Sequence, residues 1–344
     1  IDEYARATPD SKASNIETLS AYLTANASTD TEKIRALYVW MTDNIRYDTK
    51  LYFNDKIDPM ERAERQESAK VLKYKRAVCE GYSNLFNDLA SAANIHSEKV
   101  SGFTKNHRGR VARIGHAWNA VRADGKWYLI DNTWGAGYVD DDNNRFKRQF
   151  EEKYFLAEPA EFVLDHYPND PLFQMLPNPV TWDVFQEDNS TINAYLKTEK
   201  TPEFESFTDS LNHFHSLKGN TKTFNSAART LRFDPANGYA NYLIANYYYD
   251  ESRKDFDLYR KETEPIIRNP KKLESKHITK WSKIISISET NLKKAREYLE
   301  KIEPGNKFFR SSRAAKKNAS LAMNNIRNAK TQLKQFKDYL KRRG

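Results

Sequence analysis

The chain holds one cysteine, Cys79, and seven histidines, so any thiol chemistry must run through a single residue. A thiolate attacks a carbonyl carbon where a thiol does not, and it needs a base beside it and a third group to orient that base. His116 heads the run HAWNAVRADGKWYLIDNTW. Two alternating segments flank Asp124-Gly125, a pair that favours a tight type I′ turn, and together they predict a β-hairpin. With those two residues at the loop centre, Ala123 faces Lys126, Trp118 faces Asp131 and His116 faces Thr133. Period-two alternation then puts Asp131 on the His116 face as a diagonal neighbour, roughly 7 Å away at Cβ, where a carboxylate reaches an imidazole. The division of labour is that of a Cys-His-Asp triad: Cys79 as nucleophile, His116 as base, Asp131 as the group that fixes the tautomer. Taken singly, each residue has a plainer reading. A lone cysteine packs as a small apolar side chain, a strand histidine as a satisfied core residue, and Asp131 as an ordinary strand-end aspartate.

These side chains need elements to carry them. Between residues 30 and 47, Ile34, Leu37, Tyr38, Met41 and Ile45 recur at helical spacing, with Thr29 as N-cap and Glu32 as its capping-box partner. In the segment 74–93, Tyr82, Leu85, Phe86, Leu89 and Ala93 form a stripe that begins just after Cys79. Cys79 is therefore expected near a helix start, where the dipole and the free backbone amides favour a thiolate.

The runs AVCEGYSNLFNDLA, GHAWNAVRADGKWYLIDNTWGAG and EKYFLAEPAEFVLDHYPNDPLFQML resemble the transglutaminase-like superfamily. The resemblance is to a bacterial branch related to kyphoscoliosis peptidase and the cytokinesis-protein transglutaminase-like domain. It covers about residues 1 to 185, including IRALYVWMTDNIRYD. The resemblance implies an α+β, papain-like core with the cysteine helix packed on an antiparallel sheet. It implies Cys79, His116 and Asp131 as the triad, with Trp118, Trp127 and Trp134 building or bordering the cleft. The backbone amide of Cys79 is the expected first oxyanion donor. Trp40 and Tyr47 are candidates for the second, and Tyr82, Trp118 and Trp134 for substrate contacts.

At 344 residues the chain exceeds one ordinary core. We expect a catalytic domain over 1–188 and an all-helical domain over 189–344. The latter combines a tetratricopeptide-like helix pair near 220–250 with a long antiparallel hairpin over 275–342, broken at Glu303-Pro304-Gly305-Asn306. Residues 251–344 carry 26 Lys plus Arg against 11 Asp plus Glu, whereas the first 250 carry 30 against 36. The basic helices could contact an anionic surface or partner, or be a solvated face, and no nucleic-acid motif accompanies them. No apolar run is long enough for a membrane span.

No cofactor is expected. The remaining histidines, His96, His107, His166, His213, His215 and His277, show no metal-ligand grouping, with His213 and His215 read as solvated. Asp140, Asp141 and Asp142 read as a flexible acidic loop rather than a calcium site. The start at Ile1 rather than methionine is read as the mark of signal-peptide processing or other trimming, and the protein is expected to be extracytoplasmic, secreted or lipid-anchored after signal removal, with no intramolecular disulfide to hold it. The expected activity is acyl transfer on amide bonds, with hydrolysis of peptide or cell-envelope substrates preferred. Protein cross-linking and a non-catalytic binding scaffold are the alternatives.

Overall fold

The structure, a computed structural model, describes the chain except residues 55, 113, 141, 199–205, 305–308 and 344. It resolves into two compact units, Ile1–Ser216 and Leu217–Gly344.

The first unit is built on a four-stranded antiparallel sheet in the order β5-β4-β3-β8. Its strands are β3 (Ser97–Thr104), β4 (His116–Ala123), β5 (Lys126–Ile130) and β8 (His166–Pro168). Two smaller pairs accompany it: β1 (Arg46–Tyr47) runs parallel to β2 (Arg76–Ala77), and β6 (Gly137–Asp140) pairs with β7 (Arg145–Arg148). The β4–β5 register runs from Ala123 against Lys126 to Asn119 against Ile130, as the Asp124-Gly125 turn dictates. Both turn residues have positive φ, 48° and 90°.

Alternation along β4 divides the core. Val121 and Ala123 join Leu85, Phe86 and Leu89 of the cysteine helix, Cys79–Ala92, and Ile34, Leu37, Tyr38 and Met41 of helix Asp30–Asn44. Trp118 and Ala120 point the other way, onto Phe162, Leu172, Leu211 and Phe214. The helix Asp30–Asn44 begins with the expected capping box, Thr29 with Glu32. Asn119 ties the cysteine helix to the sheet by donating to the Ser83 carbonyl at 3.1 Å and to Asn87 at 2.8 Å.

The division after residue 188 lies inside this first unit. Helix Asn189–Leu196 buries Ile192 with Tyr167, Val180 and Phe185. Helix Phe207–Ser216 buries Leu211 and Phe214 on the outer face of the sheet. Apolar residues at that spacing mark a buried helix face without saying which core receives it. His215, read as solvated, instead donates from Nδ1 to Glu98 at 2.5 Å and stacks on His96 at 4.5 Å.

The described residues of the second unit form helices only: Gly219–Phe233, Gly238–Arg268, Ser275–Glu300 and Phe309–Arg343, with a 3-10 turn at Pro270–Lys272. The last two are antiparallel, since Trp281 meets Phe336, Glu289 pairs with Lys330, and Leu299 packs with Ala315. The expected hairpin has a third member. Helix Gly238–Arg268 runs well past residue 250 and lies antiparallel to Ser275–Glu300, through Tyr248 with Tyr298, Ser252 with Ser288 and Glu262 with Trp281. Charged residues on its outer face hide the continuing stripe of Ser252, Tyr259, Thr263 and Ile266. Gly305 and Asn306 of the expected break lie outside the described residues.

Candidate active site

Cys79 is the first residue of its helix, so its amide has no acceptor within the helix. The turn before it is braced by Gln66, which is fully buried. The Gln66 Oε1 accepts the amides of Val78 at 3.0 Å and Gly81 at 3.1 Å. Sequence reasoning missed Gln66, whose only visible signal is the glycine two residues after the cysteine.

His116 opens β4. Its Nε2 lies 2.7 Å from Asp131 Oδ2, and Cys79 lines the same cleft as its ring. Asp131 reaches it differently from the strand diagonal expected. β5 ends at Ile130, and Asp131 is the N-cap of the short helix Asn132–Ala136, its Oδ1 accepting the amides of Thr133 at 2.7 Å and Trp134 at 3.1 Å. An aspartate satisfies two orphan amides of a helix start better than it continues a strand. The cap locks one carboxylate oxygen and aims the other at the histidines.

The electrostatics follow from this packing. Burial disfavours a charged His116 ring, but the charges of Asp131 and Cys79 outweigh it and push the imidazole up to about 10. Burial likewise opposes the Asp131 charge, yet His116 and His166 hold the carboxyl well below the usual range. Both effects favour a charged imidazolium at His116.

Cys79 and His116 line a cleft of about 880 Å³, with Tyr47, Tyr52, Trp134 and Tyr154 around them. Tyr47 is half-buried, and burial followed by the Cys79 charge keeps its hydroxyl protonated well above the ordinary tyrosine value. The other candidates sit elsewhere. Trp40 is in the core under the Lys75 ammonium, 4.2 Å from its ring centre. Tyr82 is buried and donates its hydroxyl to the Ile45 carbonyl at 2.7 Å. Trp118 is buried beneath the imidazole, 6.0 Å between ring centres. Trp127 donates to Asn212 at 2.9 Å. Of the expected aromatic contacts, Tyr47 and Trp134 line the cleft, and Trp40, Tyr82, Trp118 and Trp127 are buried.

His166 is a further residue the sequence analysis set aside. Its Nε2 lies 3.1 Å from the same Asp131 oxygen that His116 uses, and its Nδ1 lies 2.5 Å from Asp165. β8 reaches this position because Gly102 of β3 has no side chain: a Cβ there would stand 2.0 Å from the Tyr167 carbonyl. His116, Asp131 and His166 bring one donor atom each within 4.8 Å of one another, a set that could hold a transition metal. Here those atoms already bond to each other, so an ion would have to break both imidazole–carboxylate contacts. In the acidic loop, Asp140 bonds Lys147 at 2.5 Å and accepts the Asp142 amide at 2.9 Å, while Asp141 lies outside the described residues.

Residues 17–132, which include Cys79, His116 and Asp131, match the family model of the Transglutaminase-like superfamily. This stretch is a transglutaminase-like domain. The chain is 32% identical to kyphoscoliosis peptidase of Homo sapiens over 193 residues, which cover 54% of this chain and 27% of that protein. It is 27% identical to Lim and transglutaminase domain protein ltd-1 of Caenorhabditis elegans over 198 residues, 53% of this chain and 26% of that protein. Cytokinesis protein 3 of Schizosaccharomyces pombe is 23% identical over 154 residues, 44% of this chain and 16% of that protein. The chain spans only a minor part of the length of each relative. The match to the transglutaminase-like family model stops before Asp165 and His166.

Proposed function

We propose that the cleft carries out thiol-dependent acyl transfer on amide bonds, with hydrolysis as its outcome. The observation that carries this reading is the 2.7 Å contact between His116 Nε2 and the buried, helix-capping Asp131, at the cleft that His116 lines together with Cys79. The Cys79 thiolate attacks the amide carbonyl, and the oxyanion that forms is received by the Cys79 amide and the Tyr47 hydroxyl. The His116 imidazolium then gives its proton to the amide nitrogen, the C–N bond breaks, and the amine leaves a thioester behind. Water attacks the thioester and gives a proton to His116, the C–S bond breaks, and the acid departs. Asp131 holds the imidazole through both steps.

Hydrolysis rather than cross-linking is favoured by the cleft's rim, where Phe53, Ile114 and Tyr138 are exposed. An exposed rim leaves a thioester open to water, which competes with an entering amine. The substrate class is a peptide amide, from a protein or a cell-envelope peptide, and an extracytoplasmic setting for it is part of the same proposal. The test is a mass-spectrometric screen of peptides and wall fragments with the parent and Cys79→Ala. Cleavage by the parent alone supports hydrolysis. Incorporation of an added amine without cleavage would indicate cross-linking, and binding by both proteins without product would indicate a scaffold.

A further inference from the structure

We propose that His166 is a positioning residue for the thiol–imidazole pair, holding and sharing the Asp131 carboxylate on which His116 depends. The inference rests on the acyl-transfer reading above and concerns a residue outside the expected triad.

The geometry is specific. Asp131 Oδ2 receives His116 Nε2 at 2.7 Å and His166 Nε2 at 3.1 Å, while Oδ1 is occupied by two backbone amides. All four contacts are made to one buried carboxylate. His166 is fully buried and walled by aromatic rings: Phe162 stacks on it at 4.0 Å, and Trp134 and Trp118 meet it edge-on at 4.6 and 5.0 Å. It therefore touches no substrate. Its second nitrogen faces Asp165, which is paired with Lys153 at 2.5 Å and approached by the Tyr154 hydroxyl at 3.5 Å. The charged and titratable groups around the ring are thus Asp165, Lys153 and Tyr154 on one side and Asp131, His116 and Cys79 on the other. Trp118, Trp134 and Phe162 carry no charge.

Such an arrangement exceeds what packing requires, because an imidazole in an apolar cage costs desolvation that a phenylalanine would avoid. Each ring nitrogen faces a carboxylate oxygen, Nε2 that of Asp131 and Nδ1 that of Asp165. A donor on Oδ2 does two things. It prevents the carboxylate from turning away from His116, and it withdraws part of the negative charge that would otherwise fall on His116 alone. An undivided Asp131 charge would make the His116 imidazolium hold its proton harder, and so make it a poorer acid toward a leaving amine.

The measurement is the rate of Cys79 alkylation by iodoacetamide against pH, which needs no substrate. His166→Phe keeps the stack on Phe162 and removes both ring nitrogens, and His166→Gln keeps one amide donor. The alkaline limb of the profile should move up by about one pH unit in the phenylalanine variant and by less in the glutamine variant. If the phenylalanine variant does not fold, by near-UV circular dichroism, an upward shift in the glutamine variant carries the test alone. Limbs that superimpose on the parent's in the folded variants would overturn the proposal and leave His166 as packing. His116→Gln separates this failure from that of the acyl-transfer reading. That variant should lose the fast neutral-pH alkylation, and if it does not, His116 is not the partner of the thiol, whatever His166 does.

Discussion

Gly81 and Gln66 meet so closely that a Cβ on Gly81 would stand 2.5 Å from the Gln66 Oε1 that accepts its own amide. The same Cβ would lie 2.8 Å from Ala77 and 2.9 Å from Val71. The glycine thus permits the brace beneath Cys79. Gly81→Ala should cost roughly 1–3 kcal/mol, the range of an overpacked core, read as a lower denaturant midpoint. Its alkylation of Cys79 should also slow, because Gln66 must release the turn that aims the helix start. Unchanged alkylation in a destabilised variant would show that the brace serves stability alone.

Cys79→Ser tests chemistry without disturbing packing. The change is nearly isosteric at a half-buried site, so the melting temperature should stay close to the parent's. Product formation should vanish, because a hydroxyl here is far less acidic than a thiol. A serine variant that still turns over would sink the nucleophile assignment.

Asp131→Asn should lower the rate by roughly 10² to 10⁴, in line with loss of the orienting carboxylate from a serine triad. It should also destabilise the domain, since one asymmetric amide must serve two backbone amides and two imidazoles. Steady-state turnover and urea unfolding measure the two effects separately. A variant that loses stability but keeps its rate would leave Asp131 as a helix cap only.

His116 predicts a pH dependence of stability. Burial would lower its proton affinity, but Asp131 and Cys79 raise it from the ordinary 6.5 to about 10. Between those values the folded ring holds a proton that the unfolded chain has lost. The stability linked to this ring is therefore fully present below 6.5 and disappears as pH rises toward 10. Asp131 acts at the other end, with burial opposed and outweighed by His116 and His166. Its contribution is present above 3.8 and fades as pH falls below that. Melting temperatures across the alkaline window should fall in the parent and fall less steeply in His116→Gln. Equal slopes would refute the charged pair.

In the helical unit, the buried hydroxyls of Ser252 and Ser288 lie 2.8 Å apart, and the Ser288 hydroxyl also donates to the Ser252 carbonyl at 3.0 Å. Ser288→Ala should cost about 1–3 kcal/mol by leaving a buried polar group unpaired, and the double alanine variant should recover part of that loss. Additive costs in chemical unfolding would refute the coupling.

Patterns short in sequence were legible in the chain itself. The capping box at Thr29 and Glu32, the hairpin centred on Asp124-Gly125 with its register, and the helix beginning near Cys79 each depend on contacts between residues a few positions apart. Local steric and hydrogen-bonding rules therefore suffice to predict them. The same locality made His116 and Asp131 neighbours before any fold was known, although the expected strand diagonal proved to be a helix cap, because Asp131 is followed by amides that need an acceptor.

Other features needed the chain to return on itself. His166 arrives at the Asp131 carboxylate on a three-residue strand, 35 residues away in sequence, and only because Gly102 lets β8 approach β3. Gln66 reaches the cysteine turn from a preceding loop. Trp40, Tyr82, Trp118 and Trp134 are chemically alike as letters, yet three are buried and one lines the cleft. Which side of an aromatic ring faces solvent is decided by what packs over the other side. Residue type and spacing announce a candidate thiol and its candidate base; burial, and the second imidazole on the shared carboxylate, are properties of the assembled core.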